Sequence, residues 1–214
     1  MKTKSKALLL ALCAVLLVAA SVLGTMAYLT SQDKVTNTFT VGSVSITLDE
    51  AKVNADGTYV TGKDNRTDEN DYHLLPGHEY IKDPVVHVDA NSEECYLFVT
   101  INNAIAEIEA TGDTTVAAQM GANGWKIVDS DAGLYVYVGK AEDASAPLAV
   151  SAKNNIPVFE KIVIAGSVDN TTLATYEEAT ITVTAYAVQK DGFEGKTAAE
   201  IWSTAFGTPA LPQN

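Results

Sequence analysis

All three histidines of the chain, His73, His78 and His87, fall between positions 73 and 87. Carboxylates stand among them, Glu79 and Asp83. Three imidazoles and a carboxylate are a donor set that zinc accepts. The peptidase version of that chemistry needs two histidines one helical turn apart with a glutamate between them. Here His78-Glu79 runs on into Tyr80-Ile81-Lys82, so the His-Glu-x-x-His spacing is absent. Pro76, Gly77 and Pro84 also break any helix through the stretch. The plainer expectation is three separate surface histidines at the start of a strand. A second group, Asp64, Asp68 and Asp71, offers hard oxygen ligands of the kind calcium prefers. The EF-hand spacing is missing, with no glycine at the sixth place, and a solvated loop is the simpler expectation. Calcium is thus the one cofactor left open, and no metal site is assigned.

No nucleophile elbow, glycine-rich phosphate loop or paired-carboxylate signature occurs. Cys95 alternates with Leu97, Val99 and Ile101, so it reads as a small core residue rather than a reactive thiol. The only other cysteine is Cys13, which rules out a disulfide framework. The residues therefore predict a protein that is not an enzyme.

Those side chains must be carried by short strands. Period-two alternation marks Ser43–Leu48, Glu94–Ile101, Leu134–Val138 and Ala179–Gln189. Lys82–Val88, Trp125–Val128 and Val158–Ile164 are further candidates. Asp56-Gly57, Pro76-Gly77, Asn123-Gly124 and Asp191-Gly192 supply turns. Short strands with one polar face predict an all-β, antiparallel β-sandwich rather than a buried parallel sheet. That pattern leaves Tyr96, Phe98, Tyr135 and Tyr137 facing out, where aromatic rings can stack on sugars. One helix is signed at the C-terminal side. Thr197-Ala-Ala-Glu200 is a capping box, and Ile201, Trp202, Ala205 and Phe206 form its apolar stripe. It is expected to pack on one end of the sandwich.

Before these strands comes a different kind of segment. Lys2, Lys4 and Lys6 precede an uncharged apolar run from Ala7 to Leu23, and Thr25-Met26-Ala27 ends it in small residues. This is a signal peptide helix over 1–27, with cleavage expected between Ala27 and Tyr28. An uncleaved run would be long enough to anchor the chain, which is the one membrane contact expected. The domain scheme is 1–27 signal, 28–42 an N-terminal segment, and 43–214 a single domain. Net charge is −13, and removing the leader's three lysines makes it −16. Such a surface repels nucleic acid.

The wording at three places resembles the TasA/camelysin family of Gram-positive bacteria. The first is Leu23-Gly-Thr-Met-Ala27-Tyr28 with Asn37-Thr-Phe-Thr-Val-Gly42-Ser-Val-Ser-Ile-Thr-Leu48. The second is Leu75-Pro-Gly77, Lys82-Asp-Pro84 and Tyr96-Leu-Phe-Val99. The third is Ile181–Gln189 with Trp202 and Phe206-Gly207, which is similar to uncharacterised clostridial members. Positions 104–156 lie outside the resemblance. It implies a jelly-roll-like fold, export through a SipW-type signal peptidase, and a secreted subunit that polymerises with itself or with related matrix subunits in a surface fibre or biofilm matrix. It also implies that Tyr28–Thr40 is a donor strand handed to the next copy, anchored by Leu29, Val35 and Phe39. Camelysin's reputation as a metallopeptidase supplies the runner-up. A monomeric adhesin or carbohydrate-binding module is the third reading.

Overall fold

The structure is a computed structural model that describes residues 6, 12–17, 42–141 and 144–208. Lys6 and 12–17 are helical, and they belong to a unit, 1–41, separate from the one formed by 42–214. The cleavage site Ala27/Tyr28 and the anchors Leu29, Val35 and Phe39 lie outside the described residues. Among the described residues, no helix is long and apolar enough to cross a membrane.

In the second unit the alternating segments become antiparallel strands. The central one is β5, Cys95–Asn103. It pairs along its full length with β11, Ile181–Gln189, and on its other side with β7, Leu134–Tyr137, and β8, Ala149–Val150. Beyond β7 lies β6, Trp125–Asp129. A second sheet joins β2, Arg66–Thr67; β1, Ile46–Ala51; β4, Val85–Val88; and β9, Asn155–Pro157, in that order. A third pairs β3, Glu79–Ile81, with β10, Lys161–Val163. The all-β, antiparallel expectation therefore holds.

Cys95, Leu97, Val99 and Ile101 on one face of β5 share a core with Val86, Val88, Ile156 and Ile162 from the smaller sheets. The opposite face was expected to meet solvent, and it does not. Tyr96 and Phe98 are 7% and 0% exposed, packed with Leu134, Val136, Ile201 and Trp202. The reason is the C-terminal helix, α3, Ala198–Ala205, which covers a sheet face rather than an end. Its capping box is present: Glu200 N–H donates to Thr197 Oγ1 at 3.3 Å, and Thr197 N–H donates to Glu200 Oε2 at 2.8 Å. Trp202 then meets Phe98 and Tyr186 edge-on, with centroids 5.5 and 5.0 Å apart. Tyr96 and Phe98 are thus removed from the sugar-stacking set. Tyr135 and Tyr137 remain half-buried.

Two further differences have local causes. Lys82–Val88 is not one strand, because Pro84 has no N–H to donate and separates β3 from β4. Two short helices were not anticipated, α1 (Val116–Ala122) and α2 (Asn170–Ala174). Thr115 and Asp169 cap them by accepting from Ala118 N and Thr172 N. The expected turn at Asn123-Gly124 is real and tight. Gly124 has φ +91°, and a Cβ there would stand 2.6 Å from the Gly139 carbonyl.

Candidate functional site

β11 forms one border of the five-stranded sheet. Lys190 N–H donates to Glu94 O at 2.9 Å, and Ala104 N–H donates to Thr180 O at 3.1 Å. With the register Thr182↔Asn102 and Thr184↔Thr100, the even-numbered residues of β11 therefore turn their main-chain groups toward β5. Val183, Ala185 and Ala187 turn theirs outward, where no strand pairs with them among the described residues. β1 lies alongside. From Ile46 to Asp49 it pairs with β4, and the described residues place no strand on its other border over that span.

The two borders of the large sheet are built differently. β6 carries a register shift between Ile127 and Asp129 and an exposed Lys126, both of which discourage further pairing. β11 reads Ile-Thr-Val-Thr-Ala-Tyr-Ala-Val-Gln, with no charge, proline or register shift in its nine residues. Proteins rarely leave such an edge bare.

A groove of about 1100 Å³ runs beside it, lined by Leu48, Ile105, Ile162, Leu173, Tyr176 and Val183. Asp68, Glu69, Asp71, Glu177 and Glu178 bring negative charge to its lining.

One wall of the groove is braced by charge. Arg66, the chain's only arginine, donates from Nε to Asp49 Oδ1 at 2.7 Å and from Nη1 to Asp83 Oδ2 at 3.1 Å. Its Nη2 reaches the carbonyls of Asp49 and Asp83 at 2.9 and 3.1 Å. A planar fork suits that four-way bridge in a way an ammonium cannot match. His87 completes the set, with Nε2 at 2.9 Å from Asp49 Oδ1 and Nδ1 at 2.8 Å from Asn155 Oδ1. Burial works to raise the Asp49 pKa, but the hydrogen bonds and charges of His87 and Arg66 outweigh it and hold the carboxyl below its usual range.

Next to it, Glu50 takes Lys82 Nζ on Oε2 at 2.7 Å and Asn70 Nδ2 on Oε1 at 2.9 Å. Burial, with the nearby charges of Glu50 and Asp83, raises the Tyr72 phenol far above its usual pKa. Its hydroxyl donates to Ile81 O at 3.0 Å.

The Asp49 shift has a sign that can be tested. A carboxyl depressed on folding contributes stability above its unfolded pKa, and that contribution disappears as pH falls through the folded pKa. Wild type is expected to lose stability progressively below about pH 4, and Asp49→Asn to show a shallower acid limb from a lower starting point at pH 7. Urea midpoints measured across that range check it.

The histidines do not meet. His73 and His78 are exposed, and His78 Nδ1 lies 3.3 Å from Pro76 O, while His87 turns to Asp49. Asp64, Asp68 and Asp71 are exposed. Among the described residues no group of three or more His, Cys, Asp or Glu side chains is placed to hold a metal ion. Cys95 is a core thiol, pushed up to about 11 by burial and by the Glu94 charge. Sequence reasoning missed Asp49, Glu50, Arg66, Asn70 and Lys82. The lone arginine, Arg66, was the one available signal. No family model, curated protein or solved structure matches this chain.

Proposed function

We propose that this chain is an exported, non-enzymatic structural subunit of an extracellular fibre or biofilm matrix. Its sheets form a jelly-roll-like sandwich, and it assembles by strand donation. The observation that carries the reading is the outer edge of β11, which pairs with no strand among the described residues, beside an open groove. A strand from another copy would add main-chain hydrogen bonds to Val183, Ala185 and Ala187 and set alternate side chains in the groove.

Tyr28–Thr40 suits that role in reach and pattern. Fully extended it spans about 40 Å, against about 30 Å for the nine residues of β11. Leu29, Val35 and Phe39 share odd parity, so an extended chain puts all three on one face. Donation from each copy to the next does not close on itself, which gives filaments. Cleavage between Ala27 and Tyr28 by a SipW-type signal peptidase would free the donor from the membrane-bound leader.

Negative-stain imaging and sedimentation of the chain beginning at Tyr28 test the reading. Fibres are expected, and removal of Tyr28–Thr40 should leave folded monomers. Solitary particles at high concentration, with and without calcium, would overturn it.

A further inference from the structure

Glu50, Asn70 and Lys82 come from three places in the chain: β1, the loop after β2, and the turn after β3. Their side chains converge in the interior. Glu50 is 5% exposed, and the Lys82 side chain 11%. One carboxylate holds both partners, Lys82 Nζ on Oε2 at 2.7 Å and Asn70 Nδ2 on Oε1 at 2.9 Å. The Asn70 amide is held at its other positions too. Nδ2 donates to Ala51 O at 2.8 Å, and Oδ1 accepts from Val53 N–H at 2.9 Å. The Tyr72 ring centroid lies 5.9 Å from Nζ.

An amine and a carboxamide, bridged by one buried carboxylate, are the components of a transamidation. We propose that Lys82 and Asn70 become joined by a spontaneous intramolecular amide bond, with Glu50 as the group that moves the proton. Glu50 Oε2 accepts a proton from Nζ, which frees its lone pair. Nζ attacks Asn70 Cγ, and the charge that develops on Oδ1 is met by the Val53 N–H already aimed at it. Glu50 delivers the proton to Nδ2. The Nζ–Cγ bond forms, the Cγ–Nδ2 bond breaks, and the old amide nitrogen leaves. Two protons depart from Nζ in all, and both end on the leaving nitrogen as ammonium. Glu50 returns to its carboxylate form. No oxidant, reductant or metal takes part.

The bond closes the segment 70–82 into a ring. Asn70, Tyr72, His73 and Lys82 all line the groove, so the ring fixes part of its wall. The bond is intramolecular, so a monomeric protein would carry it as well as a fibre subunit.

Tryptic mass spectrometry of the folded full chain tests it. A free Lys82 is a cleavage site. A joined one is not, so the peptide from Thr67 should run through position 82 to Lys126 with a deficit of about 17 Da, one ammonia. Backbone fragments between 70 and 82 should be missing from its spectrum. Glu50→Gln and Lys82→Arg should each restore the full mass, and Lys82→Arg should restore cleavage at 82, with circular dichroism reporting the fold of each variant. Folded wild type that is cut after Lys82 and has its full mass overturns the proposal, because an ordinary buried ion pair is then all that is present. A deficit of about 17 Da that survives in Lys82→Arg also overturns it, since a cyclic imide at Asn70-Asp71 loses the same ammonia.

Discussion

Phe98→Ala is expected to lower unfolding stability by about 3–5 kcal/mol. That is a large part of the roughly 5–15 kcal/mol that holds a domain together. Phe98 is 0% exposed at the centre of β5, opposite Val136 on one neighbour and Tyr186 on the other. Its ring meets Trp202 edge-on at 5.5 Å. Truncation removes transfer energy and leaves a cavity between sheet and helix, and neither the paired strands nor the capped helix can collapse into it freely. The denaturant midpoint should fall with an unchanged slope. A one-sided sheet gives a sharply different answer, because a solvent-facing Phe98 would cost within about 0.5 kcal/mol on truncation. The measurement therefore decides whether α3 covers the second face of the sheet.

That second face also shows where local pattern carries information and where it stops. β7 and β11 alternate cleanly, and their residues were assignable from spacing alone. β5 reads Cys-Tyr-Leu-Phe-Val-Thr-Ile, almost unbroken apolar sequence, which is the mark of a strand buried on both sides. Reading it as alternation put Tyr96 and Phe98 in solvent. The capping box of α3 was legible because Thr197 and Glu200 interact within one turn. The helices α1 and α2 have 7 and 5 residues, too few for a helical period to emerge. The candidate site is harder still. Its groups are distant in sequence, with 20 residues from Glu50 to Asn70 and 32 from Glu50 to Lys82. The pairing of β1 with both β2 and β4, and the turn between β3 and β4, bring them together. The histidines mislead for the converse reason. They are close in sequence, but the strand entry spreads them, and His87 is claimed by Asp49 and Asn155.

Ala185→Pro is expected to abolish or strongly weaken assembly while leaving the subunit folded, and Thr184→Pro to unfold it. The two positions are adjacent on β11 and differ in the direction of one N–H. Thr184 is even-numbered and faces Thr100 on β5. Proline there removes a ladder donor and strands a carbonyl inside the sheet, at about 1–3 kcal/mol before the clash of the ring is added. Ala185 is odd-numbered and points its N–H away from β5. Proline is tolerated on an edge strand where the N–H faces outward, and Thr184 before it is already extended, as a residue preceding proline must be. The incoming strand loses one hydrogen bond, and the ring disturbs its approach. At about 1.4 kcal/mol per factor of ten, that raises the concentration needed for assembly roughly tenfold or more. Sedimentation across a concentration series, paired with a thermal melt of each variant, reads both effects. If Ala185→Pro assembles at the wild-type concentration, the donated strand does not run along β11. If Thr184→Pro stays as stable as Ala185→Pro, the assignment of inward and outward main-chain groups is wrong. Both variants place the same proline one residue apart on the same strand and neither changes the charge, so charge cannot account for a difference between them.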